Sequence, residues 1–151
     1  MQGDPLQIKV EEGVRPVASH SPIPVPVHWA AEVKRQLDRD EALGVIERVP
    51  IGTDTTWCHR MVCVPKKDGS PRRTVNFQPL NQHTARQTHF TESPFRQATS
   101  VPEGQYKTVV DAWNDYHSVA LEKSCRHLTT FITPWGRYRY EDHAPGVQGL
   151  G

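Results

Sequence analysis

The clearest hydrophobic pattern in the chain lies at residues 28–43. Trp29, Val33 and Leu37 recur at helical spacing with charged residues between them, which predicts an amphipathic helix. Gly44 suits the left-handed position that ends such a helix. The apolar stripe faces either the core of this chain or a partner helix. Opposite charges three or four residues apart are expected to pair on the exposed face: Glu32 with Arg35, and Lys34 with Asp38.

Alternating apolar and polar positions predict two β-hairpins. The first joins residues 57–64 to 72–77 through a run of turn formers at 66–71. The second joins residues 129–131 to 137–140. Shorter candidate strands lie at 6–10, 106–110 and 119–121. One helix among hairpins and short strands indicates an α+β fold rather than a regular βαβ alternation.

Composition limits the size of the core and the length of the helices. Leu, Ile, Val and Phe make up about one residue in five, a level at which a core becomes difficult to build. A domain with a thin core, or a piece of a larger one, is therefore expected. Four of the 13 prolines fall in residues 14–27, which predicts an extended segment. That segment serves either as a spacer or as a ligand for another protein.

Charge and cysteine content exclude several classes of protein. The net charge of +1 gives no global nucleic-acid signal, so any such binding must come from local basic patches. Three scattered cysteines suggest a reducing compartment, and Cys58, His59 and Cys63 lack the spacing of a zinc site. With no signal-peptide pattern and no apolar run of about 20 residues, the sequence predicts an intracellular protein that is neither secreted nor membrane-bound.

The first predicted hairpin carries a cluster of cations. Lys66, Lys67, Arg72 and Arg73 lie within eight residues, and only Asp68 opposes them. Strand alternation sends Arg72 and Arg73 to opposite faces of the hairpin. Such a tip can hold phosphate oxygens, since lysine acts as a point charge and arginine binds two oxygens at once. Lysines around a turn can equally be simple solvated charges.

A carboxylate and an aromatic residue follow the apolar run at 108–110. Asp111, at the exit of this predicted strand, is placed to bind Mg²⁺, or to serve as a turn or capping residue. Tyr116 can stack against a sugar or base, or be an ordinary half-buried tyrosine. Mg²⁺ chemistry on phosphates normally requires more than one carboxylate.

These signals occur in an order that resembles a known family. Residues 28–81 resemble the fingers region of reverse transcriptases from gypsy-class long-terminal-repeat retrotransposons and retroviruses. The matching blocks are LDR at 37–39, LGVIE at 43–47, WCHRMV at 57–62, VPKKDG at 64–69, RRTVNF at 72–77 and PLN at 79–81. Residues 109–121 resemble the first palm motif of the family, and 128–140 resemble the hairpin after it.

The resemblance implies an RNA-directed DNA polymerase with a partial right-hand fold, and it implies roles for five residues. Asp111 corresponds to the first metal-binding aspartate, with the Ala112 carbonyl beside it. Tyr116 corresponds to the aromatic residue under the incoming sugar, and Lys66 and Arg72 to the fingers residues that grip the incoming triphosphate. The implied cofactor is Mg²⁺, and the implied partners are an RNA or DNA template-primer and deoxynucleoside triphosphates.

By this resemblance the chain divides into an N-terminal extension (1–13), a fingers-like region (14–104), the start of a palm (105–145) and a divergent tail (146–151). It departs from the family at Asn76, where an aspartate is usual, and at Asp115, where a glycine is usual. The sequence contains no Tyr-x-Asp-Asp motif. We therefore expect a reverse-transcriptase fragment that is inactive alone. The alternatives are a non-catalytic module that binds nucleic acid or protein, and a polymerase assembled with a second chain that carries the later motifs.

Overall fold

The computed structural model describes residues 4–85, 92–106, 108 and 120–141. Within these ranges the chain forms a mixed α/β architecture around a five-stranded sheet. In chain order the elements are α1 (Val27–Ala42), β1 (Ile46–Arg48), β2 (His59–Pro65), β3 (Pro71–Asn76), α2 (Gln78–Asn81), α3 (Pro94–Ser100), a 3₁₀ helix (Lys123–Thr129), β4 (Phe131–Thr133) and β5 (Gly136–Tyr140).

Helix α1 confirms the amphipathic pattern. Val33 and Leu37 are fully buried within the main hydrophobic cluster, so the apolar stripe faces the core of this chain. Both predicted charge pairs form on the other face: Glu32 with Arg35, and Lys34 with Asp38.

Gly44 ends α1 as expected, with a φ of 71°. The Gly44 amide donates to the carbonyl of Glu41 at 3.1 Å, and the Val45 amide donates to the carbonyl of Asp40 at 2.9 Å. These two bonds form a Schellman motif, which satisfies carbonyls that the helix leaves open. The motif turns the chain directly into β1.

The sheet has the order β1-β5-β4-β2-β3 and combines both predicted hairpins. The β2–β3 hairpin is antiparallel, with Val62 opposite Thr74 and Pro65 opposite Pro71. The β4–β5 hairpin is also antiparallel, and β4 joins the first hairpin through a short parallel pairing with β2. Strand β1, which local patterns did not indicate, pairs with β5 at the sheet edge.

The strand predicted at residues 6–10 is wrong as a continuous element. Its alternation holds, since Leu6 and Ile8 are buried while the residues between and after them are exposed. However, Leu6 bridges to Leu121 and Val10 bridges to Thr84, so the segment divides its pairing between two distant partners. The prediction at 106–110 also fails at its first residue, because Tyr106 is exposed and belongs to no strand.

The core is a cluster of side chains from α1, the sheet and the N-terminal segment. Its largest fully buried members include Tyr138, Phe131, Leu37, Ile46 and Met61. Helix α3 contributes no buried residue. In the described ranges, no helix combines the length and apolar character required to cross a lipid bilayer.

Candidate functional site

The turn between β2 and β3 has a defined backbone conformation. The Lys66 amide donates to the Ser70 carbonyl at 2.8 Å, and the Gly69 amide donates to the Lys66 carbonyl at 3.0 Å. Asp68 accepts bonds from the Ser70 hydroxyl and amide, and these bonds lower the pKa of its carboxyl group. Asp68 is thus engaged with its own turn, and the turn holds a fixed shape between the strands.

Lys66 and Arg72 lie on either side of the last pair of the ladder, Pro65 with Pro71. Lys66 is one residue beyond that pair, in the turn, and Arg72 is one residue before it, opposite Val64, so the two cations are diagonal neighbours on one face of the hairpin. Both side chains are exposed, and neither forms an ion pair with any described residue. The hairpin therefore presents two exposed cations without an ion-pair partner on one face close to its turn.

An open groove of about 360 Å³ runs between the hairpin and α1. Its charged lining combines cations with two carboxylates that already have partners, because Glu32 pairs with Arg35 and Asp40 pairs with Arg73. The uncommitted charges in the groove are all positive, which favours an anionic ligand. The lining residues are Glu32, Gln36, Arg39, Asp40, Lys66, Pro71, Arg72 and Arg73.

Arg73 differs completely from its neighbour Arg72. Its side chain is only 9% exposed, and its guanidinium pairs with Asp40 of α1. Burial raises the pKa of the nearby Tyr140 hydroxyl, and the positive charge of Arg73 opposes that shift. Alternation placed Arg73 on the inner face, but the partner in α1 was not predicted. The available signal was the position of Asp40, three residues after Leu37 on the buried side of the helix.

Further arginines lie on the face of the sheet opposite Arg73, which is also the face of Arg72. Arg60 on β2 is exposed and lies opposite Ile132 of β4, which in turn lies opposite Arg137 of β5. Arg137 donates to the hydroxyl of Thr55. In this row, one arginine lies on each side of the apolar side chain of Ile132.

The remaining predicted site residues, Asp111, Ala112 and Tyr116, lie outside the described residues. Across the part of the chain that the structure describes, no group of three His, Cys, Asp or Glu side chains is arranged to hold a metal ion. His59 instead has a structural position, with its Nε2 atom 3.0 Å from the carbonyl of Leu128.

No protein-family model matches the sequence. Among solved structures, the chain is similar to the crystal structure of a prototype foamy virus protease-reverse transcriptase CSH mutant, with a TM-score of 0.74 and 17% sequence identity. The match covers 95% of this chain and 19% of that one, so this chain spans about a fifth of the viral protein's length. The likeness shows a fold shared with part of a retroviral Pol protein.

Proposed function

We propose that this chain forms the fingers and the start of the palm of a reverse transcriptase from a gypsy-class retroelement. Two observations support the proposal. The sequence blocks follow the order of that family, and the fold is similar to part of a retroviral protease-reverse transcriptase. In this role, the chain contributes to copying RNA into DNA by nucleotidyl transfer.

The observation that carries the proposal is the pair of cations without ion-pair partners beside the turn of the hairpin. Lys66 and Arg72 border the same groove, where the carboxylates are already neutralised by other partners. A triphosphate presents several anionic oxygens in sequence, which suits one lysine point charge beside one arginine fork. We assign these two side chains to the phosphates of the incoming deoxynucleotide.

The palm residues complete the proposed site. Asp111 would hold Mg²⁺, which neutralises phosphate charge when bound. Tyr116 would lie under the sugar, with the Ala112 backbone carbonyl beside the metal ligand. The template-primer would be bound largely by other parts of the polymerase.

The test is calorimetric titration of dTTP with Mg²⁺ into the 151-residue chain and three alanine variants. Lys66→Ala and Arg72→Ala should each weaken binding at least about tenfold, since a hydrogen bond to a charged group contributes roughly 1.5–3 kcal/mol. Lys67→Ala is the matched control, because Lys67 is equally exposed but does not line the groove. It should change the affinity less than twofold. Absence of binding by the unmodified chain, or an equal loss in the control, would reject the assignment.

A second function, non-catalytic binding of single-stranded nucleic acid, is favoured by the row formed by Arg60, Ile132 and Arg137. Arginines contact phosphates, and that contact releases counterions. The logarithm of the association constant must therefore fall linearly with the logarithm of the salt concentration. We expect Arg60→Ala to reduce both the affinity for single-stranded RNA and this salt slope. If RNA does not bind at low ionic strength, the module hypothesis is wrong while the triphosphate assignment stands.

A further inference from the structure

The two residues that flank Arg72 are both held by α1. The Gln36 side chain donates from Nε2 to the carbonyl of Pro71 at 3.3 Å. Asp40 pairs with the guanidinium of Arg73. The residue between these two anchored positions is Arg72, whose own side chain has no ion-pair partner among the described residues.

The spacing of these contacts matches a helix to a strand. Gln36 and Asp40 are four residues apart on one face of α1, a rise of about 6.0 Å. Pro71 and Arg73 are two residues apart on β3, a rise of about 6.6 Å. These two distances are similar, so one face of α1 can contact every second residue of β3. Because side chains alternate along a strand, the Arg72 side chain points to the face opposite that of Arg73.

We propose that Gln36, Asp40 and Arg73 form a clamp that positions Arg72, and with it the cationic turn, for the triphosphate. This inference rests on the proposed function and names the residues that determine its geometry. Arg73 is a positioning residue in this scheme: its guanidinium is committed to Asp40, while Arg72 contacts the ligand. The bond from Gln36 also ties the start of β3 to Glu32, since the same amide donates to that carboxylate at 3.1 Å.

The clamp and simple electrostatics predict opposite signs for one substitution. Asp40→Asn removes a negative charge from the groove, so electrostatics alone predicts tighter binding of an anion. If Asp40 positions Arg72 through Arg73, the same substitution should weaken dTTP binding at least threefold. Asp40→Glu, which keeps the charge, should restore the affinity to within twofold of the unmodified chain.

A matched control separates the clamp from general effects on α1. Asp38 forms an ion pair with Lys34 on the same helix but does not line the groove. Asp38→Asn should therefore leave the dTTP affinity within twofold of its original value. In an Arg72→Ala background, Asp40→Asn should have a smaller effect, because one of the cations that it positions is gone. An unchanged or increased affinity in Asp40→Asn, or full additivity with Arg72→Ala, would overturn the clamp.

A second readout does not depend on any ligand. Trypsin cleaves after lysine, and Lys66 and Lys67 lie in the turn that the clamp holds. Cleavage there should become several-fold faster in Asp40→Asn and stay within twofold in Asp38→Asn, and equal rates would count against the clamp. If dTTP does not bind the unmodified chain, the proposed function fails and this assay alone decides the clamp. Should Asp40→Asn not fold, Gln36→Met tests the second contact in both assays with the same expected direction.

Discussion

His59 is buried at the start of β2, where it is 2% exposed. Its ring lies edge-on to Phe77, with centroids 4.8 Å apart, and stacks on Trp57 at 6.1 Å. Because the Leu128 carbonyl can only accept a hydrogen bond, Nε2 must carry a proton. Burial lowers the pKa of His59, and the backbone groups of Leu128 and Asn76 oppose that shift.

This lowered pKa predicts a loss of stability in mild acid. Below pH 6.5, the ordinary value for histidine, the unfolded chain binds a proton that the folded chain does not. The free energy of unfolding should therefore fall as the pH decreases from 6.5 to the folded pKa, by at most about 1.4 kcal/mol per pH unit. Urea denaturation at pH 7.5 and 5.5 measures this difference.

The matched variants for this prediction are His59→Gln and His20→Gln. His20 is exposed, so its replacement should leave the pH dependence unchanged. Replacement of His59 should reduce the difference in stability between the two pH values, although it lowers stability at both. An identical pH dependence in His59→Gln and the unmodified chain would show that another group causes it.

At the residue level, strand alternation correctly placed Arg72 and Arg73 on opposite faces of the hairpin. It did not reveal the separate roles of the two side chains. An arginine among inward-facing residues requires an anionic partner. That requirement was readable from the sequence, whereas the identity of the partner was not, because Asp40 is brought to Arg73 by the packing of α1 on β3. Residues that act by contact across elements are predictable only once those elements are docked.

Among the elements, α1 contributes its buried stripe to the core. Leu37 is fully buried in the hydrophobic cluster, while Leu43, just beyond the helix, is 60% exposed. Leu37→Ala should destabilise the chain by about 3 kcal/mol, since it removes apolar contacts and leaves a cavity. Leu43→Ala is the control and should cost less than about 0.5 kcal/mol. Urea denaturation of both variants measures these costs, and similar losses would mean that the stripe does not anchor the helix.

Elements with a strong periodicity and clear turn signals were predictable, whereas short elements without them were not. Helix α1 and the β2–β3 hairpin carry their own periodicity and turn signals, and both were predicted within two residues of their observed ends. Strand β1 has three residues and depends on pairing with β5, which no local pattern reveals. Helix α3 was also missed, although Ser93 caps it by accepting a bond from the Arg96 amide at 3.3 Å.

For the whole molecule, the sheet order brings the two hairpins together through the parallel pairing of β4 with β2. This pairing places residues 131 and 132 beside 59 and 60, a join that sequence periodicity does not specify. The two cations of the candidate site could be placed from the sequence because they lie within one hairpin, and their binding of phosphate stays a prediction. The proposed metal ligand Asp111 is outside the described residues and also stays a prediction.

The proposed site combines phosphate-binding cations in the hairpin with a single candidate metal ligand, and this combination predicts how the chain behaves in a primer-extension reaction. Two-metal nucleotidyl transfer requires carboxylates that hold two cations about 4 Å apart. The 151-residue sequence offers Asp111 in a family-like position and contains no Tyr-x-Asp-Asp motif. We therefore expect these residues alone to extend no primer on an RNA template with Mg²⁺. Extension should appear only when a polypeptide that carries the later motifs is supplied, either in continuation or as a second chain.

In that complete polymerase, the two halves of the site should affect different kinetic constants. Asp111→Asn should lower kcat at least about 1000-fold, because a metal ligand acts on the transition state. Lys66→Ala should mainly raise the KM for deoxynucleotides, about tenfold, if it contributes similar binding in the ground state and the transition state. Asp115→Asn is the control carboxylate and should retain activity. The 151 residues alone should extend no primer. If they do, and if Asp111→Asn abolishes that extension, then one aspartate is sufficient for catalysis and this prediction is wrong.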